Sequence, residues 1–123
     1  MKKTKIIVAD DEPTVSRLIQ EAVVQIGYEA ITASSGKQLL KLLDSESPDI
    51  IILDMVMPEM EGIETLAELA KIKSRAAIIL MSGFQKNYLE SALILGKAKG
   101  LNIHATLSKP LKLDQLEETL QSI

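Results

Sequence analysis

Short apolar runs alternate along this chain with longer segments in which apolar residues recur every three or four positions. A continuous apolar run of strand length is typical of a strand buried on both faces, and the longer spacing is typical of an amphipathic helix. Five such pairs follow one another between Lys5 and Ile123. The pattern therefore predicts an α/β domain built from five strand and helix units.

The boundaries of these elements follow from the apolar runs and from the residues that interrupt them. The five predicted strands are residues 5–9, 28–33, 49–53, 76–81 and 103–108. The predicted helices carry Val15, Leu18, Ile19, Ala22, Val23 and Ile26; Leu39, Leu40, Leu42 and Leu43; Ile63, Leu66, Ala67, Leu69 and Ala70; residues 86–95; and Leu113, Leu116 and Leu120, which we expect to face inward. Gly27 stands where a helix C′ residue belongs, and residues 96–102 are predicted to form a loop. Buried strands that alternate with helices predict a parallel sheet covered on both faces, hence a three-layer, doubly wound (βα)5 fold.

The composition supports a single folded domain that occupies residues 1–123. Apolar residues make up 46% of the chain and charged residues 25%, both near the average for globular proteins. The formal net charge is -3, and the lysines are scattered rather than clustered, so we expect neither nucleic acid nor a membrane as a direct partner. A protein partner fits an acidic domain of this size better.

The chain has no cysteine and a single histidine, His104. Disulfides, thiolate metal sites, cysteine nucleophiles and multi-histidine zinc sites are therefore excluded, and the composition suits a reducing cytoplasm. The basic start of the chain leads into an apolar run that ends at Asp10, too short for the apolar region of a signal peptide. We interpret His104 as a packing or surface residue rather than a phosphate carrier.

Polar residues collect where the predicted strands end. In chain order, these residues are Asp10 and Asp11, Asp54, Ser82 and Gly83, and Lys109 and Pro110. Because the strands of a parallel sheet all end at one edge, where ligands bind in α/β proteins, we expect these residues to converge on one pocket.

Each of these residues also has a local structural explanation. Asp11 could cap the first helix, and Asp54 could be a turn residue. Ser82 and Gly83 form a common turn dipeptide, and Lys109 could be a solvated lysine ahead of a helix. Their combination at four strand ends of one sheet edge is what favours a functional site.

Three carboxylates in one pocket predict a bound cation. Two carboxylates about 4 Å apart repel by roughly 4 kcal/mol at an effective dielectric constant near 20. Lys109 supplies one positive charge, and an all-oxygen carboxylate set suits Mg²⁺ or Mn²⁺. Since Mg²⁺ uses one or two protein carboxylates, another is free to attack a phosphoryl group, with Ser82 and backbone N–H groups as hydrogen-bond donors to its oxygens. The chemistry predicted is phosphoryl acceptance at an aspartate.

These motifs resemble the receiver domain of two-component response regulators, and the resemblance covers the whole chain. It rests on "VADDE" at 8–12, "DMVMPEMEG" at 54–62, "MSG" at 81–83 and "SKP" at 108–110. The second of these is the most specific, with Met57, Pro58 and Gly62 in the family's usual places. The resemblance implies the flavodoxin-like strand order 2-1-3-4-5 and a cis peptide bond between Lys109 and Pro110.

The resemblance also implies a role for each site residue. Asp54 would be the phosphorylation site, and Lys109 and Ser82 would bind the phosphoryl group. The metal ligands would be Asp11, Asp54 and the Val56 backbone carbonyl, with Asp10 in support through a water molecule. A histidine kinase or histidine phosphotransfer protein would be the phosphodonor.

The sequence departs from the family at the positions that connect the site to its output. Receivers often carry Tyr or Phe three residues before the lysine, where this chain has Thr106. Phe84 or Tyr88 could replace that ring, or both could simply pack. The positions two residues after Asp54 and Ser82 influence acyl-phosphate hydrolysis in the family, and here they are Val56 and Phe84. Neither side chain can orient an attacking water molecule, so we predict slow self-dephosphorylation.

We therefore interpret the chain as a phosphorylation-dependent switch of a two-component phosphorelay, and not as an enzyme with a separate substrate. Its target would be a downstream protein or an output domain outside this sequence. The chain could be a stand-alone receiver or one excised from a longer protein. It could act as a monomer or as a phosphorylation-dependent dimer. The alternatives are an aspartyl-phosphate hydrolase of the haloacid dehalogenase type, a flavodoxin-like nucleotide-binding module, and a degenerate receiver that binds partners without phosphorylation. The hydrolase needs an acid where Val56 stands, and the nucleotide module needs a Ser-, Thr- or Gly-rich loop where "DDEPT" stands.

Overall fold

A computed structural model describes residues 3–56, 62–83 and 86–123 of the chain. Its five strands are β1 (Lys5–Ala9), β2 (Glu29–Ala33), β3 (Ile50–Asp54), β4 (Ala77–Ser82) and β5 (Asn102–Ser108). Its five helices are α1 (Pro13–Gln25), α2 (Gly36–Glu46), α3 (Gly62–Lys71), α4 (Lys86–Ala98) and α5 (Leu113–Gln121). Strands and helices alternate, as the sequence pattern predicts.

The five strands form one parallel sheet in the order β2-β1-β3-β4-β5. The middle strand is β3, which lies between β1 and β4, and its Leu53 lies opposite Ala9 of β1. In the next pair, Asp54 lies opposite Met81, so β4 ends one residue beyond the end of β3. The strand order predicted from the resemblance is confirmed, and it places the ends of β1, β3, β4 and β5 side by side.

Local sequence explains where the first two helices begin and end. Pro13 occupies the first turn of α1, where its missing N–H costs no hydrogen bond. Gly27 follows the end of α1 with φ of 107°, a conformation that glycine adopts without strain, and its N–H donates to the carbonyl of Val24. Ser35 caps α2, because its side-chain oxygen accepts a hydrogen bond from the Gln38 N–H.

Two hydrophobic clusters cover the two faces of the sheet. One includes Ile7, Ile51 and Ile78 with residues of α2, α3 and α4, and the other includes Ile6 and Ile52 with residues of α1 and α5. Alternate residues along each strand therefore serve opposite faces. Strands β3 and β4 are buried from end to end, which holds their last residues in fixed positions.

Two expectations about the helices are wrong in detail. Helix α4 continues to Ala98, three residues past its predicted end, and includes Gly96. A Cβ atom at Gly96 would lie 2.8 Å from Ile103 Cδ1, so the glycine allows the helix to lie close against β5. Leu113, expected to face inward, is 42% exposed because it is the first residue of α5, whereas Leu116 and Leu120 are buried.

Among the described residues, no helix is long and apolar enough to cross a membrane.

Candidate functional site

The carboxyl ends of four adjacent strands bring the predicted site residues together. Asp10 follows β1, Asp54 ends β3, Ser82 ends β4 and Lys109 follows β5. Asp10, Asp54 and Ser82 are almost fully buried, at 1%, 4% and 2% exposure. Asp11 is exposed and lies at the rim of the pocket.

The Lys109 ammonium group lies among the acidic side chains of the pocket. Its Nζ donates to Asp10 Oδ2 at 2.8 Å and to Asp54 Oδ2 at 2.9 Å, and it lies 3.9 Å from Glu12 Oε1. The first two contacts have the length of charge-assisted hydrogen bonds. One ammonium group therefore bridges two buried carboxylates that are far from Lys109 in the sequence.

The other oxygen of each buried carboxylate is fixed by local backbone. Asp10 Oδ1 accepts a hydrogen bond from the Glu12 N–H at 2.9 Å, and Asp54 Oδ1 accepts one from the Val56 N–H at 3.1 Å. Both are bonds from a side chain to the backbone two residues later, which aspartate forms readily in turns. The same turn geometry thus orients both acids toward Lys109. Asp10, rather than Asp11, is the acid that anchors the lysine, which the sequence did not indicate.

The buried part of the pocket has two carboxylates, Asp10 and Asp54, and one ammonium group, Lys109. Burial raises the pKa of Asp54 above its ordinary value, against the opposing effects of the Lys109 and Val56 hydrogen bonds. Burial alone would lower the pKa of Lys109, but its hydrogen bonds to Asp10 and Asp54 outweigh this and raise it. Burial thus disfavours the charged form of Asp54, whereas the two acids favour the charged form of Lys109.

The acids also have a spacing that suits a metal ion. Asp10, Asp11 and Asp54 each offer one carboxylate oxygen, and these oxygens lie within 4.8 Å of one another. Ligand oxygens at about 2.1 Å from a Mg²⁺ ion lie within this distance of one another, and carboxylates are the ligands that Mg²⁺ prefers. The donor set therefore fits Mg²⁺ or Mn²⁺.

The ends of β4 and β5 complete the pocket. The Lys109 N–H donates to the carbonyl of Ser82 at 3.0 Å, which joins the two strand ends. A Cβ atom at Gly83 would meet Lys109 Cβ at 3.4 Å, so the strand ends lie in contact. The peptide bond between Lys109 and Pro110 is cis, as the resemblance implies.

Three other predicted residues lie outside the described part of the chain: Met57, Pro58 and Phe84. Thr106 lies on β5 opposite Leu80, and it is exposed. His104 lies on the same strand, with its Nε2 2.7 Å from Ser122 Oγ.

Two contributions to the site were missed by the sequence analysis. Glu12, assigned only to the start of α1, adds a partly exposed carboxylate near Lys109. Met55, directly after Asp54, is fully buried, and its carbonyl accepts a hydrogen bond from the Tyr88 hydroxyl at 3.4 Å. No local pattern signals the second contact, because 33 positions separate the two residues.

The fold and the pocket together define a class of phosphoryl-accepting α/β domains, with an acidic metal-binding edge and a lysine beside the aspartate. Within that class, residues 6–121 match the family model of the response regulator receiver domain, and the chain belongs to this family. It is a receiver domain of the two-component type, and receiver domains bind Mg²⁺ in an acidic pocket and interact with histidine kinases or phosphotransfer proteins.

Known relatives cover the chain almost completely. It is 31% identical over 119 residues to the alkaline phosphatase synthesis transcriptional regulatory protein PhoP of Bacillus subtilis, covering 97% of this chain and 48% of that protein. It is 27% identical over 121 residues to the sporulation initiation phosphotransferase F of the same organism, covering 98% of this chain and 94% of that one. The chain spans about half the length of the first curated relatives it matches.

Solved structures show the same architecture. The chemotaxis protein CheY4 of Vibrio cholerae superposes with a TM-score of 0.86 at 25% identity, covering 99% of both chains. A response regulator receiver domain protein of Clostridium thermocellum gives a TM-score of 0.81 at 30% identity, covering 97% of this chain and 92% of that one.

Proposed function

We propose that Asp54 is the residue of this receiver that accepts the phosphoryl group. The observation that carries the proposal is the buried Asp54 carboxylate, held between the Lys109 ammonium and the Val56 N–H at one edge of the sheet. Phosphoryl transfer needs a positioned nucleophile and fixed positive charge more than it needs an acid or a base. This arrangement supplies both.

The reaction forms one bond and breaks another. A carboxylate oxygen of Asp54 attacks the phosphorus of a phosphohistidine, so that a P–O bond forms while the P–N bond breaks and its electron pair returns to the imidazole. Lys109 stays charged and hydrogen-bonds a transferring oxygen, and the Ser82 hydroxyl donates to another. In dephosphorylation, water attacks the phosphorus, the P–O bond to Asp54 breaks, and inorganic phosphate leaves as the carboxylate is restored.

A metal bound by Asp11 and Asp54, with the Val56 carbonyl as a further ligand, would neutralise charge on the transferring oxygens. Mg²⁺ or Mn²⁺ fits this set. Asp10 would support the metal through a water molecule while it holds Lys109. The 2.8 Å contact between Asp10 and Lys109 supports this division of roles, because it leaves the exposed Asp11 free for the metal.

The partners follow from the family and from the charge of the chain. We propose a histidine kinase or histidine phosphotransfer protein as phosphodonor, and a downstream protein or an output domain as target. Residues 1–123 would act as one receiver domain, as a monomer or a phosphorylation-dependent dimer, without direct binding to nucleic acid or a membrane. A cytoplasmic location stays a prediction from the cysteine-free composition.

The test is incubation with acetyl phosphate and Mg²⁺, followed by intact-protein mass measurement. We expect one phosphoryl group per chain in the wild type, none in Asp54→Ala, and one in Asp44→Ala, whose carboxylate is exposed on α2. Incorporation that persists in Asp54→Ala would overturn the assignment. Multiple turnover of a small phosphorylated substrate would favour a hydrolase instead.

A further inference from the structure

Met55 is anchored to the sheet and to helix α3 by its backbone. Its N–H donates to the carbonyl of Met81 on β4 at 2.9 Å, and its carbonyl accepts from the Gly62 N–H, at the start of α3, at 3.1 Å. A Cβ atom at Gly62 would lie 2.7 Å from Met55 Cα, so the helix start and this residue are in direct contact. Met55 is the covalent neighbour of Asp54, so a shift of the Asp54 backbone also shifts Met55 and the contacts that it makes with β4 and α3.

Tyr88 adds a contact from a third element to the same carbonyl. It lies in the first turn of α4, its ring packs against one of the two core clusters, and its hydroxyl donates to the Met55 carbonyl at 3.4 Å. A carbonyl oxygen has two lone pairs and can accept from both Gly62 and Tyr88. A single side chain thus connects α4 to the backbone next to the phosphorylation site.

The length of this contact makes it sensitive to movement. Hydrogen bonds between hydroxyl and carbonyl oxygens are about 2.5–3.0 Å long, so the Tyr88 contact is stretched. A shift of α4 by about 0.5 Å would decide whether the bond is strong or absent. Tyr88 follows Ser82 by six positions in the sequence.

We propose that Tyr88 couples the phosphorylation state of Asp54 to helix α4, and that its bond to Met55 tightens when Asp54 carries a phosphoryl group. The proposal rests on the function proposed above. A phosphoryl group on Asp54 displaces the adjoining Met55 carbonyl, and the Tyr88 hydroxyl bonded to that carbonyl transmits the displacement to the first turn of α4. Thr106, short and exposed on β5, has no ring that could take this role. Tyr88 is in this sense a positioning residue.

The experiment measures hydrogen–deuterium exchange in residues 86–98, with and without Mg²⁺ and beryllofluoride as a phosphoryl analogue. Tyr88→Phe keeps the ring and removes only the hydroxyl, and Tyr28→Phe is the matched control, since these are the only two tyrosines. We expect beryllofluoride to slow exchange in the wild type and Tyr28→Phe by roughly two- to tenfold, the range that one neutral hydrogen bond supports. Tyr88→Phe should lose this protection.

Mass measurement of phosphoryl incorporation separates the two proposals. If Tyr88→Phe incorporates one phosphoryl group and still gains protection in α4, or if wild-type α4 does not respond, the coupling is wrong and the function stands. If wild type incorporates none, the proposed function fails and the coupling with it.

A second measurement holds even if Tyr88→Phe does not fold. The chain has no tryptophan, so Tyr28→Phe leaves Tyr88 as its one tyrosine chromophore. We expect its absorbance and fluorescence to shift on addition of beryllofluoride with Mg²⁺, and not in the double variant with Asp54→Ala. An unchanged Tyr88 signal would overturn the coupling.

Discussion

Lys109 and Asp10 are 99 positions apart in the sequence, and their side chains form an ion pair 2.8 Å long in the pocket. The pair exists because the order of the strands places the ends of β1 and β5 at the same edge of the sheet. The same ammonium also holds Asp54. One positive charge is thus shared by two buried acids, which leaves the pocket with a net negative charge.

Removal of the Lys109 charge should destabilise the metal-free protein. Lys109→Met keeps most of the side-chain volume but leaves Asp10 and Asp54 buried without a cation, which costs about 3 to 5 kcal/mol in comparable buried pairs. Urea unfolding without metal measures the change in the free energy of unfolding. Lys112→Met, at the exposed N-cap of α5, is the control and should change it by less than about 0.5 kcal/mol.

The same variant should be slow to accept a phosphoryl group. Loss of one donor to the transferring oxygens typically costs a factor of about 100 to 1,000 in rate. The initial rate of incorporation from acetyl phosphate, at a Mg²⁺ concentration and temperature where both variants are folded, measures this loss. We expect Lys109→Met to react at least ~100 times more slowly than Lys112→Met, and two rates within about twofold of each other would contradict the role of Lys109.

Neutralisation of Asp54 should stabilise the metal-free protein. Burial raises the pKa of this carboxyl, which means that the fold disfavours its charged form. Asp54→Asn removes that charge while Lys109 keeps Asp10 as partner, so we expect a gain of about 1 kcal/mol in the free energy of unfolding. Asp44→Asn, on the exposed side of α2, is the control and should have little effect.

Magnesium should reverse this order of stability. A ligand that binds only the folded state stabilises it by about 2.7 kcal/mol at 100 times its dissociation constant. Wild type, with three acids in the pocket, should gain stability as Mg²⁺ is added, and Asp54→Asn should gain much less. Equal gains in the two proteins, measured by thermal unfolding across a Mg²⁺ titration, would show that the metal does not use Asp54.

The sequence predicted the fold and the members of the pocket because both depend on the position of residues relative to strand ends. Buried strands read as apolar runs, and the polar residue that follows each run marks the functional edge. Asp10, Asp54, Ser82 and Lys109 were all identified in this way, and the structure brings them together at one edge. The resemblance supplied the strand order, which apolar runs alone do not contain.

What the sequence could not predict are contacts between elements that share no local pattern. Three contacts depend on the distances between packed elements. They are the ion pair of Lys109 with Asp10, the approach of Glu12 to Lys109, and the hydrogen bond from Tyr88 to Met55. The end of α4 was missed for a related reason. Gly96 reads locally as a breaker, but in the fold it is the residue that lets α4 approach Ile103.

Alanine at Gly62 should destabilise the protein more than alanine at Gly96. A Cβ atom at Gly62 would lie 2.7 Å from Met55 Cα, which is backbone, whereas at Gly96 its nearest neighbours would be side-chain atoms, Ile103 Cδ1 at 2.8 Å and Cγ1 at 2.9 Å. A side chain can rotate away and a backbone atom cannot, so we expect about 2 to 3 kcal/mol for Gly62→Ala and about 1 kcal/mol or less for Gly96→Ala.

Phosphoryl incorporation should follow the same order, because Met55 is bonded directly to Asp54. At equal fractions of folded protein, Gly62→Ala should react more slowly than Gly96→Ala with acetyl phosphate. If the two variants have the same stability and the same rate, Met55 is not the rigid neighbour that its contacts indicate.

Val56 should keep the phosphorylated state long-lived. Its side chain is 45% exposed beside Asp54, and an isopropyl group can neither accept nor donate a hydrogen bond to an attacking water molecule. Val56→Asn provides an amide that can orient this water, so we expect hydrolysis of the acyl phosphate to accelerate by roughly tenfold, a modest share of what a well-positioned group contributes. Val24→Asn is the matched control, since Val24 is 52% exposed on α1, and it should leave the rate unchanged. The decay of the phosphorylated mass after removal of acetyl phosphate, with Mg²⁺ present, gives the rate for each protein. A wild-type half-life of only seconds, or equal decay in Val56→Asn and Val24→Asn, would show that Val56 does not shield the phosphoryl group.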